Sequence, residues 1–126
     1  MPRKRIETDE APRPIGPYAQ AIVSGSFLFA SGQIPLDPVS GEIVAGEIEA
    51  QTERVLQNID AVLRAANLSC EDVVKTTVFL VDLAEFPRMN AVYERFFGAN
   101  PPARSTVQVA ALPRGARVEI EVVAAY

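Results

Sequence analysis

The sequence contains no histidine. That absence removes the commonest general base, the base partner of serine and cysteine nucleophiles, and the commonest transition-metal ligand. Any chemistry performed here must come from carboxylates, arginine, lysine, tyrosine, hydroxyls or backbone groups. Cysteine is nearly absent as well. Cys70 stands alone, so no intrachain disulfide can form, and the composition is compatible with the cytoplasm. Long apolar runs are missing: none approaches the roughly 20 residues that span a bilayer. The basic opening Pro2-Arg3-Lys4-Arg5 is followed by Glu7 rather than by an apolar core, which is not the pattern of a signal peptide. Residues 1–10 read as a flexible, solvated tail. Positive charge is also in deficit. A net charge of -4 opposes the basic field through which phosphate neutralisation drives nucleic-acid binding. Neither a nucleic acid nor a membrane is expected as a partner, and a cytoplasmic location is.

What is present is the balance of an ordinary globular protein, with 48% apolar and 22% charged residues. At 126 residues the chain supports one core, so 1–126 is read as a single domain. Two short apolar runs, Ala19–Val23 and Phe27–Ser31, flank Ser24-Gly25-Ser26, which predicts a hairpin. Residues 35–46, rich in Pro, Gly and Asp, read as a loop. From Glu47 to Ala66 apolar residues recur at three- and four-residue steps, which predicts a helix with one buried face, closed by Asn67 as a left-handed cap. Val73–Val81 reads as a central strand. Pro87–Phe97 reads as a second helix with Met89, Val92, Tyr93, Phe96 and Phe97 on its apolar face, and Gly98 ends it. Two strands close the chain, about Arg104–Ala110 and Arg117–Ala125. The order ββαβαββ implies an α+β sandwich with helices on one face of the sheet.

Joined as a hairpin, the last two strands would place Arg104, Thr106, Gln108, Glu119 and Glu121 on the face away from the helices. Arg104 and Glu121 would then meet with Cβ atoms about 4.5–8 Å apart. Such a pair is ordinarily a surface ion pair worth about 0–1 kcal/mol. On an apolar and polar face left uncovered by the helices, the alternative is that it walls a site shared between subunits. Glu119 reads as solvated, or paired with Arg117 or Lys75. Cys70 reads as an inert thiol, and Tyr93 as a core residue.

Six segments then take on meaning together: Ile15-Gly16-Pro17-Tyr18-Ala19-Gln20-Ala21, Ser31-Gly32-Gln33-Ile34-Pro35, Val74-Lys75-Thr76-Thr77-Val78-Phe79-Leu80, Met89-Asn90-Ala91-Val92-Tyr93, Pro102-Ala103-Arg104-Ser105-Thr106-Val107 and Val118-Glu119-Ile120-Glu121. In this order they resemble the signature segments of the Rid family, the reactive-intermediate deaminases or YjgF-type proteins. The resemblance runs from about Ala11 to the C-terminus. It implies a chorismate-mutase-like subunit, a homotrimer with sites in the clefts between subunits, and cofactor-independent hydrolysis of 2-iminopropanoate and 2-iminobutanoate to 2-oxo acids and ammonia. It implies a carboxylate-binding role for Arg104 and a water-positioning role for Glu121, with Tyr18, Ser31, Gly32, Asn90 and Thr106 lining the cleft. Thr106 stands where cysteine is common in the family, which excludes any mechanism that needs a thiol there. The chemistry suits a chain without histidine. An imine carbon beside a carboxylate is already electrophilic, so the reaction needs a fixed carboxylate and an aimed water, tasks that arginine and glutamate perform without a metal or cofactor. Two rival functions on the same scaffold are a non-catalytic regulator that binds a small carboxylate, and a ribonuclease or translation inhibitor.

Overall fold

The computed structural model describes residues 2–126; Met1 lies outside them. Eight principal elements follow one another: β1 (Lys4–Ile6), β2 (Ala21–Ser24), β3 (Phe27–Gln33), α1 (Ile48–Ala65), β4 (Val73–Leu80), α2 (Phe86–Phe97), β5 (Ala103–Gln108) and β6 (Val118–Ala125). They form one mixed six-stranded sheet of order β1-β2-β3-β6-β4-β5, with both helices on one face. This is the α+β architecture the periodicity predicts.

The local signals operate as their chemistry requires. Ser24 pairs with Phe27 across a two-residue turn, and Gly25 takes the left-handed φ of 59° that the turn needs. Asn67 closes α1 at φ 61°, and the amides of Asn67 and Leu68 return to the carbonyls of Arg64 and Leu63. The helix-side rows of α1 (Val55, Leu56, Ile59, Val62, Leu63) and α2 (Met89, Val92, Tyr93, Phe97) are buried against Leu28, Val78, Leu80, Val118, Ile120 and Val122.

The N-terminus differs from the expected tail. Residues 4–6 pair with β2, Lys4 opposite Val23 and Ile6 opposite Ala21. Ile6 is buried in the core. The segment after it is tied down by the buried Gln20 side chain. Its Nε2 donates to the carbonyls of Thr8, Ala11 and Pro12, and its Oε1 accepts from the Thr8 amide. One glutamine thus satisfies backbone groups that a free tail would leave to water.

The second difference concerns the last two strands. β5 and β6 do not form a hairpin. β5 lies parallel to β4 at the sheet edge, and β6 runs antiparallel between β3 and β4. The physical reason lies in their composition. Val118, Ile120, Val122 and Ala124 are at most 2% exposed, so β6 presents the more apolar row and belongs in the centre. Arg104, Thr106 and Gln108 would be costly there, and β5 takes the edge.

Candidate functional site

The strand order determines which side chains can meet. In the β4–β5 register Arg104 lies beside Thr76, while in the β4–β6 register Glu121 lies beside Thr77. Successive strand residues face opposite sides, so Arg104 and Glu121 sit on opposite faces of the sheet. The expectation that they adjoin within one chain is therefore corrected. Arg104, Thr106 and Gln108 belong with the helix side. Glu119 and Glu121 share the uncovered face with Thr77, Phe79, Ser105 and Val107.

Arg104 anchors the first cluster. Its Nη1 donates to Asn90 Oδ1 at 2.8 Å, and its guanidinium lies over the rings of Tyr93 and Phe86, 4.7 and 5.2 Å from their centroids. Helix α2 supplies all three partners at Phe86, Asn90 and Tyr93, spaced four and three residues apart and so on one face. Tyr93 is held from below: its hydroxyl and that of the buried Thr76 lie 2.7 Å apart in a hydrogen bond. Burial raises the Tyr93 pKa, and the bond to Thr76 offsets this in part, so the ring stays a neutral platform. Among the described residues no carboxylate pairs with Arg104. A cleft of about 440 Å³ opens beside it, lined by Asn90, Tyr93, Glu94, Pro101 and Pro102. Two residues further along β5, the Thr106 hydroxyl is buried without a hydrogen-bond partner. A positive, planar, unpaired group stacked on aromatic faces is a ready receptor for a carboxylate.

The second cluster forms on the uncovered face. Between Ala30–Val122 and Gln33–Ile120 the β3–β6 register slips, so Ser31 and Gly32 together oppose Glu121 in a β-bulge. The Ser31 hydroxyl donates to the Ala19 carbonyl at 2.6 Å, and its amide to Gln20. These bonds position the Gly16-Pro17-Tyr18 turn beside the bulge, and Tyr18 is 49% exposed. A side chain at Gly32 would collide with Glu119, whose Cδ would be only 2.8 Å from the added Cβ. Glu119 is half-buried, and it is not paired with Arg117 or Lys75. Arg117 pairs instead with the buried Glu85. Burial, with the Glu121 charge second, pushes the Glu119 carboxyl above its usual range. Periodicity placed this carboxyl on the uncovered face but did not reveal its burial; Gly32, whose missing side chain leaves it room, is the signal that could have done so.

The residues singled out in the sequence thus fall into two groups, and the expected joining of Arg104 to Glu121 within one chain is not found. Asn90, Arg104 and Thr106 lie at the β5 edge, on the helix side. Tyr18, Ser31, Gly32 and Glu121 lie on the uncovered face. Among the described residues no group of three or more acidic or cysteine side chains is placed to hold a metal, and no helix is long and apolar enough to cross a membrane.

The sequence pattern of the family described as endoribonuclease L-PSP matches residues 8–126. The chain belongs to this family, that of the Rid and YjgF-type proteins. The chain is 54% identical to Protein DfrA of Myxococcus xanthus over 98% of its own length and 96% of the relative's. It is 45% identical to the human 2-iminobutanoate/2-iminopropanoate deaminase over 97% of its own length and 89% of that protein's. A Yersinia pestis protein of the conserved Rid family superposes with a TM-score of 0.96 at 48% identity, covering 99% of this chain and 100% of the other. Both clusters of this Rid-family chain fall inside the matched residues.

Proposed function

We propose that this protein is a 2-imino acid deaminase whose site is completed by a second copy of the chain. The observation that carries the reading is Arg104, a guanidinium without an anionic partner that is stacked on Tyr93 and Phe86 and held by Asn90. Its geometry suits a small carboxylate bound through two parallel hydrogen bonds. Glu121 is the exposed carboxylate on the uncovered face, beside the Ser31–Gly32 bulge. It can take a proton from a water aimed at an imine carbon.

One protomer presents these two groups to opposite sides. A homotrimer in which the β5 edge of one subunit meets the uncovered face of the next brings them together. That face suits the arrangement: Phe27, Phe29 and Val107 are 46%, 49% and 43% exposed there, an apolar surface of the kind that subunits cover. In the shared cleft Arg104 fixes the carboxylate. Glu121 takes one proton from water as its oxygen attacks the imine carbon. That proton passes to nitrogen to give the carbinolamine; Glu121 then carries the hydroxyl proton to nitrogen as the carbonyl forms and the C–N bond breaks, and ammonia and the 2-oxo acid leave. No step draws on a group outside the chain, the substrate and water.

The test is Glu121→Gln, which keeps size and a hydrogen-bond acceptor but cannot take a proton at neutral pH. Imine hydrolysis, followed as protection from semicarbazide trapping, should fall by roughly 10²–10⁴, while 2-oxobutanoate still binds. A near-wild-type rate would remove Glu121 from the chemistry. A second reading, a non-catalytic carboxylate-binding regulator, is favoured by one feature: the Arg104–Asn90 cluster alone suffices to hold such a ligand. Wild-type protein that binds 2-oxobutanoate and leaves imine loss unchanged would establish it.

A further inference from the structure

Beside the bulge lies a cleft that imine hydrolysis as just described does not use. Its volume is about 570 Å³, and its walls include Tyr18, Phe29 and Ser31 from the uncovered face together with Arg5 from β1 and Arg3 just before that strand. Arg5 lies opposite Ile22 on β2, and Ile22 lies opposite Phe29 on β3. The side chain of Arg5 thus belongs to the same face as Glu121. Arg3, just before β1, lines the same cleft. Arg5 meets Glu7 only at 3.8 Å, with both side chains more than half exposed. Such a contact is weak and easily exchanged. Arg3 has no ion pair among the described residues.

We infer that Arg3 and Arg5 form a second anion subsite, and that the enzyme prefers 2-imino acids carrying another carboxylate at the far end of a short chain. The inference rests on the deaminase reading of the adjoining site at Glu121. Charge along the face is graded. Glu119 and Glu121 on β6 are acidic, and the two arginines at the β1 edge are basic. Neighbouring strands lie about 4.8 Å apart, so β1 runs roughly 14 Å from β6. An arginine side chain spans about half of that distance and reaches back over β2 towards β3, where the cleft touches Ser31 and Phe29. A substrate with its imine carbon beside Glu121 thus extends its chain towards two guanidinium groups. Near Glu121 and Glu119 a second carboxylate would be repelled, and near Arg3 and Arg5 it is neutralised. A four- or five-carbon 2-imino dicarboxylate has the required length. A plain 2-iminobutanoate leaves the arginines to water.

The experiment compares dianionic and monoanionic ligands. Wild type and Arg3→Gln/Arg5→Gln, which keeps long polar side chains at both positions, are assayed with 2-iminosuccinate generated by an aspartate oxidase and with 2-iminobutanoate. Binding of oxaloacetate and 2-oxobutanoate is measured in parallel by calorimetry at low salt. Hydrogen exchange of the Ile6 amide reports whether β1 stays paired, and Arg3→Lys/Arg5→Lys provides a charge-retaining comparison. The expected result is a loss of about tenfold in kcat/KM and in affinity for the dicarboxylates in the glutamine variant, since an interaction of about 1.4 kcal/mol corresponds to that factor. The monocarboxylates should be unaffected, and the lysine variant should recover most of the loss. Equal effects on both classes, or none, would overturn the subsite, as would a wild type that favours the monocarboxylates. If wild type binds oxaloacetate through the arginines but hydrolyses neither imine, the subsite stands and the deaminase reading falls. If it binds neither oxo acid, both fall.

Discussion

At Arg104 a single side chain is held by three neighbours through two different forces. The Asn90 carbonyl orients one edge of the guanidinium, while Tyr93 and Phe86 hold its plane. Lysine could keep the charge and one hydrogen bond but neither the stacking nor the two-point grip. Arg104→Lys should therefore lower kcat/KM for 2-iminobutanoate by tenfold to several-hundredfold, the loss of one or two charge-assisted bonds at about 1.5–3 kcal/mol each. Parallel titration with 2-oxobutanoate should show the same weakening. A lysine variant equal to wild type in both measurements would mean that charge alone is required. Glu119 poses a different question at the same scale. Its folded pKa is raised by burial and by Glu121, so the folded state holds its proton more tightly than the unfolded chain. Its contribution to stability is complete below the unfolded value near 4.5 and is lost as pH rises through the higher folded value. Glu119→Gln cannot ionise and should escape that loss. Its Tm relative to wild type should rise with pH above about 4.5. A constant Tm difference across that range would show that the carboxyl is not perturbed in solution.

Among the elements, β1 owes its place to a residue outside itself. With only three residues it contributes few ladder bonds, and the following segment is retained by Gln20. Replacing Gln20 by alanine would remove four hydrogen bonds and leave the Ala11 carbonyl buried without that partner. The expected cost is about 1–3 kcal/mol. Because the bonds are concentrated on residues 8–12, the loss should be local. Hydrogen exchange should quicken at the Ile6 and Thr8 amides while those of β4 and β6 keep their protection. Uniform quickening throughout the sheet would indicate that β1 belongs to the global unfolding unit. The elements also show how far sequence patterning reaches. α1 ends at Ala65 and Asn67 caps it, within a residue or two of the periodic reading, because helix periodicity and cap chemistry are local. The partner of a strand is not local: the alternation of β5 is as compatible with a β6 neighbour as with β4. The polar row of β5 and the nine-residue connection from Val109 to Arg117, long for a hairpin, are the signals that pointed to the edge.

At the scale of the whole molecule, the two clusters lie on opposite faces of one sheet, so function and assembly become one question. Arg104→Ala and Glu121→Gln should each be inactive alone. If the site is shared, mixing the two under conditions of subunit exchange should restore activity. Random assortment places an intact Arg104 against an intact Glu121 in about one quarter of the interfaces. Activity near that fraction in the exchanged mixture, and none before exchange, is the expected outcome. No recovery despite mass-spectrometric proof of mixed assemblies would exclude a site built from both residues across subunits. Sedimentation equilibrium supplies the companion measurement: a stable trimer at micromolar concentration is expected, and a monomer would remove the shared cleft.

The amino-acid sequence by itself determined the helices, their caps, the β2–β3 hairpin, the apolar face of each helix and the absence of histidine chemistry. Each of these depends on residues within a few positions of one another and on side-chain type. It also carried the family, since the segments containing Tyr18, Ser31, Gly32, Asn90, Arg104, Thr106 and Glu121 resemble the Rid signatures one by one. The tertiary structure alone decided which strand is central and hence which face each residue occupies. Strand order is settled by competition among whole strands for the buried positions, and β6 wins it with Val118, Ile120, Val122 and Ala124. Inserting β6 beside β4 moves Arg104 to the helix side and leaves Glu121 on the other. A strand's own residues record how apolar it is, but the outcome depends on every other strand that competes for the same place.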